Sequence, residues 1–205
     1  MITLYDFWRS SAAYRVRIGL NHLGLPYSSV AVDLMRGEHR SPENLVRNPQ
    51  GLVPTLEIDG IRLTQSVAML EYLHETRGGL LPAAPGPRAH VRALAYAIAM
   101  EIAPRCNLSA RAYAAEISQG RVSEDDCARH FISQGLADFE TMLTNSGRCC
   151  YGDEVTIADA CLVPQIYNAE RVGLDVTSFP QIHRIVTDLA TRPAFAAAHP
   201  DAVKP

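Results

Sequence analysis

Lysine is almost missing from this 205-residue chain: of its 19 basic residues only Lys204 is a lysine, and the rest are arginine. Arginine suits bidentate recognition of carboxylates, although coding-DNA base composition would produce the same bias. Excess charge of either sign is also lacking. A net charge of −3 gives no basic field to hold nucleic acid. No apolar run approaches the ~20 residues of a membrane span, and the opening MITLYDFWRS lacks the basic start and long apolar stretch of a leader, so no membrane association is expected. The five cysteines are odd in number and never spaced as CxxC, which fits reduced thiols in a cytoplasmic protein. Without HExxH or a finger spacing, no metal site is expected. The absence of GxGxxG, GxxxxGK[ST] and GxSxG removes dinucleotide folds, P-loops and nucleophile elbows.

An apolar content of 47% is ample for a buried core, and the periodicity divides the chain in two. ITLYDF (2–7) predicts a strand and Ala12 to Leu23 a helix ended by Gly24. YSSVAVDL predicts a second strand, and Met35 to Asn48 has room for one irregular helix. Thr55 to Ile58 and Ile61 to Thr64 then read as a hairpin turned by Asp59-Gly60, and Ser66 as the cap of a helix running VAMLEYLHET. The order is βαβ followed by ββα over residues 1–80. A proline- and glycine-rich linker, about 78–87, leads into residues 88–205. There Arg88 to Ala103, Asn107 to Ser118, Asp125 to Leu143, Thr156 to Val172 and Pro180 to Thr191 all have helical period, and the tail AFAAAHP reads as a final packed turn.

Three stretches in the first half could carry chemistry. In RSSAAYRVR, Ser10 and Ser11 precede a helix and can cap it; the same N-terminus would lower the pKa of a nearby thiol and let a serine hydroxyl donate to a thiolate. In NPQGLVPTL, Pro54 enters a strand directly after Val53, as an ordinary loop proline or as a cis bond presenting the Val53 backbone to a peptide ligand. Gln65-Ser66 opens the third helix, whose free N–H groups could take a ligand carboxylate with the Gln65 amide beside them. In the second half, Thr156 and Asp159 of TIAD form a capping-box-like start, and Arg171 ends that helix with a cation.

The βαβ-ββα order, these three sites and the linked helical half resemble the soluble glutathione transferases. SSAAYRVRIGL is similar to the zeta-class signature Ser-Ser-Cys-x-Trp-Arg-Val-Arg-Ile-Ala-Leu, and GDEVTIADACLVPQIYNAERVGLDVTSFP to the pattern of the zeta-class, maleylacetoacetate isomerase family. Similarity runs from about Leu4 to Pro200 and takes in NPQGLVPTLEIDG and LTQSVAMLEYL. The resemblance implies an α/β thioredoxin-like N-terminal domain, an all-α C-terminal domain, glutathione as cofactor and a homodimer. It implies a γ-glutamyl carboxylate at Gln65 and Ser66, a cysteinyl backbone on Val53 beside Pro54, a glycyl end near His39, and a sulfur over Ser10 and Ser11. Arg9, Asn107 and Arg111 become candidates for stabilising charge or holding an acidic substrate, and Arg171 a supporting residue.

The implied reaction converts a cis double bond conjugated to carbonyls into trans: a thiolate adds, the single bond rotates and the thiol leaves. One departure bears on it. Ala12 stands where the signature has cysteine, and Tyr14 where it has tryptophan. Mixed-disulfide dehalogenation would need that protein thiol, whereas isomerisation of maleylacetoacetate or maleylpyruvate would not. The alternatives are a glutathione transferase that conjugates or dehalogenates small electrophiles, and a non-catalytic member that only binds glutathione or a protein.

Overall fold

The computed structural model describes all 205 residues. Two compact units emerge, one of Met1–Leu81 with Ala190–Pro205 and one of Pro82–Leu189.

The first unit is built as β1 (Thr3–Asp6), α1 (Ser11–His22), β2 (Ser28–Ala31), a short 3₁₀ turn (Glu38–Arg40), α2 (Pro42–Arg47), β3 (Thr55–Ile58), β4 (Ile61–Thr64) and α3 (Ser66–Arg77). The sheet order is β2-β1-β3-β4, with β1 parallel to β2, β3 antiparallel to β1 and β4 antiparallel to β3. This is the expected βαβ-ββα order. Leu4, Leu56 and Ile58 of the sheet are buried, as are Ala13, Val16 and Leu20 of α1 and Met69, Leu70 and Leu73 of α3. Helical spacing puts each of those sets on one face, and α1 and α3 pack directly against each other, with Leu70 and Leu73 of α3 against Gly19 of α1.

The register decides where the loops gather. Tyr5 pairs with Thr55, Thr55 with Thr64, and Asp6 with Ala31. The ends of β1, β2 and β4 therefore lie beside the start of β3, and the segments holding Ser10, His39, Val53 and Ser66 all leave or enter the sheet at that edge.

The tail joins this unit rather than the helical one in which the sequence reading placed it. Two short helices, α9 (Pro193–Ala198) and α10 (Pro200–Val203), form it. Arg17 donates from Nε to the Ala198 carbonyl at 3.0 Å and Asn21 from Nδ2 to the Ala194 carbonyl at 3.2 Å, while Phe195 and Ala198 are buried. The final packed turn expected of AFAAAHP is thus a pair of short helices, and alanine-rich composition carries no information about what they pack on.

The second unit is all helical: α4 (Pro85–Tyr96), α5 (Leu108–Ile117), α6 (Glu124–Met142), α7 (Ile157–Arg171) and α8 (Pro180–Ala190). Three expectations are adjusted. Helix α4 starts inside the expected linker, with Pro85 at its first turn where a missing N–H costs nothing. The helix expected to run to Ala103 passes through a π turn at Ala97–Ile102 and a 3₁₀ turn at Ala103–Cys106, so α ends at Tyr96. The second strand is only four residues long. The TIAD capping box is present: Thr156 accepts from the Ala158 N–H, and Asp159 Oδ2 accepts from the Thr156 N–H at 2.8 Å. Asp159 is fully buried and its Oδ1 also accepts from the Cys150 N–H at 2.7 Å, so this carboxylate ties the preceding loop to α7. No helix is long and apolar enough to cross a membrane.

Candidate functional site

At the edge where the strands converge, Ser10 is the N-cap of α1. Its backbone N–H donates to the Phe7 carbonyl at 2.8 Å, and its Oγ accepts from the Ala13 N–H at 3.2 Å. A hydroxyl that accepts a cap bond keeps its own proton for donation, so Ser10 can offer an O–H donor at the positive end of a 12-residue helix. Ser11 was expected to cap as well. It is instead the first helical residue.

Arg9 stands beside this cap with its guanidinium over the rings of Trp8, at 5.1 Å, and Phe7, at 5.9 Å. Its one polar contact is Nη2 with Met35 Sδ, at 3.8 Å. Stacking holds the guanidinium in place without neutralising it.

The Val53–Pro54 peptide bond is cis, and the Val53 N–H and C=O make no hydrogen bond within the protein. The loop before it is fixed by Asn48, which is buried: Nδ2 donates to the Leu52 carbonyl at 2.9 Å and Oδ1 accepts from the Gln50 N–H at 3.1 Å. A fixed loop with an unpaired N–H and C=O at its end is suited to pairing with an extended peptide.

Ser66 is not the N-cap of α3, contrary to the sequence reading. Gln65 holds that position at φ 69° and ψ 107°, and Ser66 is the first helical residue. The Ser66 hydroxyl accepts from Nη1 of Arg15 at 3.3 Å. Gln65 is exposed, and its Nε2 donates to Gln50 Oε1 at 2.9 Å. A β-carbon at positive φ costs on the order of 1–3 kcal/mol, and such residues persist where function holds them. Gln65→Gly is expected to stabilise the fold by about 1 kcal/mol, a rise in Tm of about 2–4 °C readable by thermal unfolding.

His39 lies in the 3₁₀ turn, with its carbonyl accepting from Asn44 Nδ2 at 2.9 Å and its Nδ1 buried without a partner. Burial, then the Arg40 charge, lowers its pKa, and both favour the neutral imidazole.

The remaining candidates lie in the helical unit. Asn107 precedes α5 and is exposed, its side chain making no cap bond. Arg111 faces Glu124 Oε2 and Asp125 Oδ1, each at 3.5 Å, so its charge is already shared with α6. Arg171 is exposed in the last turn of α7, with its guanidinium 5.7 Å from the Tyr167 ring centroid.

All five cysteines belong to the helical unit, between Cys106 and Cys161, and none is disulfide-bonded. Burial pushes the Cys106 thiol up to about 11 and that of Cys150 well above the ordinary range. The unit carrying the Ser10 cap thus has no sulfur nucleophile of its own.

Residues 1–75 match the family described as Glutathione S-transferase, N-terminal domain. The maleylacetoacetate isomerase of Rhizobium meliloti is 54% identical over 207 residues, covering 98% of this chain and 97% of that protein. The chain belongs to the maleylacetoacetate isomerase family. A solved family structure, the maleylacetoacetate isomerase of Anaeromyxobacter dehalogenans with glutathione bound in its active site, is 41% identical with a TM-score of 0.90, covering 100% of this chain and 97% of that one. The holo structure of a maleylpyruvate isomerase, a bacterial zeta-class glutathione transferase, is 36% identical with a TM-score of 0.94, covering 98% of each chain. The fold is therefore the soluble glutathione transferase fold expected from the sequence.

Within this family framework, sequence reading missed the residues that hold the site from behind. Asn48 and Gln50 were visible only as turn residues of NPQG, where an asparagine side chain organises the backbone two residues on. Arg15 and Arg17 were visible as arginines in an apolar helix, a pattern that signals a buried charge but not its partner.

Proposed function

We propose that this protein is a glutathione-dependent cis–trans isomerase of a maleyl keto acid, of the maleylacetoacetate or maleylpyruvate type. The observation that carries the reading is a hydroxyl donor at a helix N-terminus in a unit that contains no cysteine, on a chain 54% identical to a maleylacetoacetate isomerase. When bound, glutathione would supply the thiolate that adds to the cis double bond and departs after rotation, emerging unchanged.

The residues present fit that cofactor. The unpaired Val53 N–H and C=O match the backbone of its cysteinyl residue beside Pro54, and the α3 N-terminus with Gln65 and Ser66 matches its γ-glutamyl carboxylate. His39 is assigned to the glycyl end. Ser10 donates to the sulfur, with Ser11 next to it. Arg9 keeps an unshared guanidinium one residue away, where it can hold a substrate carboxylate or the negative charge that develops on the keto group. On the family resemblance, Asn107 and Arg111 are assigned to the bound cofactor and the developing charge, with Arg111 the more committed to other partners, and Arg171 is held as a supporting catalytic residue. The proposal includes a homodimer working in the cytoplasm, where glutathione is kept reduced.

An absorbance assay on maleylacetoacetate and maleylpyruvate, with and without glutathione, tests the reading. Turnover of at least one acid that requires glutathione without consuming it is expected. Consumption of glutathione would point to conjugation, and turnover of neither acid would overturn the assignment.

A further inference from the structure

Arg15 is a buried cation without a counterion. It lies in α1 with 4% of its surface exposed, and its Nε and Nη2 are buried with no hydrogen-bond partner. Its single polar contact is Nη1 donating to the Ser66 hydroxyl at 3.3 Å. Arg17, two residues on and equally buried, shows what a satisfied arginine looks like here: Asp6 lies 2.7 Å from its Nη1, and two backbone carbonyls take its other nitrogens.

The position of the unpaired charge makes its isolation more costly. Ser66 opens α3, whose first turn contains no acidic residue, so the guanidinium adds a full positive charge to the positive end of a helix dipole. A buried charge beside a like partial charge has no electrostatic reason to be there in the isolated protein. An anion arriving at the same N-terminus supplies the reason.

The geometry points to Arg15 as a positioning residue for the γ-glutamyl α-carboxylate of glutathione, holding the Ser66 hydroxyl as a donor and supplying the charge behind it. This rests on the reading above that the carboxylate sits at Gln65 and Ser66. A guanidinium has no acceptor, so a serine hydroxyl that receives its N–H must turn its own proton elsewhere. The Ser66 O–H is thereby aimed outward, beside the unpaired N–H groups of the helix start. Because the unpartnered nitrogens of Arg15 are sealed from solvent, the residue acts through Ser66 and not by direct contact.

The test is a binding comparison by isothermal titration calorimetry, which needs no substrate. Glutathione is compared with γ-aminobutyryl-cysteinylglycine, which lacks only the α-carboxylate, on wild type, Arg15→Met and Ser66→Ala. Wild type should prefer glutathione by about tenfold or more, the scale for a charge-assisted bond to a desolvated carboxylate. In Arg15→Met the preference should collapse towards unity, through weaker binding of glutathione and unchanged binding of the analogue; Ser66→Ala should lose part of it. A structural role would weaken both ligands alike and leave their ratio intact, and that result overturns the inference. If wild type itself fails to distinguish the two peptides, the carboxylate seat at Ser66 is wrong, and the role of Arg15 falls with it. Should Arg15→Met fold poorly, Arg15→Lys keeps charge and bulk but loses the guanidinium's reach, and must still narrow the ratio.

Discussion

Ser10→Ala is expected to lower kcat/KM by about a hundredfold, the cost of losing one aimed donor to a reacting anion, with the loss carried mainly by kcat. The substitution also removes the N-cap of α1, because Ser10 Oγ accepts from the Ala13 N–H. That cap is worth about 0.5–2 kcal/mol of stability. Two further measurements separate these effects. Ser10→Asp keeps the cap, since a carboxylate accepts the same N–H, but sets a negative charge where a sulfur anion must form; its Tm should stay near wild type while activity falls at least as far as in Ser10→Ala. The pH profile provides the second. A hydroxyl donor favours the ionised sulfur, so removing it moves the acidic limb of kcat/KM upward, towards the free-thiol value of about 8.5, and the deficit shrinks as pH rises. A deficit that stays constant across pH, or Ser10→Asp with near-normal activity, would mean that Ser10 serves only as a cap. Ser11→Ala should cost under about tenfold, because no cap bond fixes that hydroxyl.

Most of the secondary structure was legible in the chain because it rests on local rules. The Asp59-Gly60 hairpin, the Thr156–Asp159 capping box and the βαβ-ββα order depend on residues within a few positions of each other. What stayed hidden depended on tertiary partners. Ser66 reads as a helix cap by residue type, yet the chain turns at Gln65 through a positive φ that no propensity favours in glutamine, and Ser66 falls inside the helix with Arg15 on its hydroxyl. The π turn at Ala97–Ile102 has no glycine or proline to announce it. In the site, the loops bearing Ser10, Val53 and Ser66 could be identified as special, but their convergence follows from strand register, and register is a property of the sheet.

Arg17→Met is expected to cost about 3–5 kcal/mol, a large share of the roughly 5–15 kcal/mol that holds a domain together, because it strands Asp6 as an unpaired buried carboxylate. Both partners are almost fully buried, and Nη1 of Arg17 meets both Asp6 oxygens, at 2.8 and 2.7 Å. The pair is nonetheless a poor stabiliser. Burial raises the Asp6 carboxyl above its ordinary pKa despite the opposing pull of Arg17, so desolvation outweighs the attraction. A group whose folded pKa is raised favours folding most when protonated, and that contribution is lost as pH climbs through the folded value, so the ionised pair gains the fold little. The Asp6→Leu, Arg17→Met double variant should therefore recover much of that loss in chemical denaturation, falling short of wild type by the two carbonyl bonds that Arg17 also makes. Its activity should not recover with it. Nη2 of Arg17 donates to the Trp8 carbonyl at 2.9 Å and Nε to the Ala198 carbonyl at 3.0 Å, so one guanidinium ties β1, the turn leading to Ser10 and the C-terminal tail. With that anchor gone, kcat/KM should remain about tenfold low and the tail beyond Ala190 should become more sensitive to protease, since small misplacements of a catalytic donor are costly. A double variant that regains both stability and full activity would show that the pair holds up the fold and leaves the position of Ser10 to other contacts.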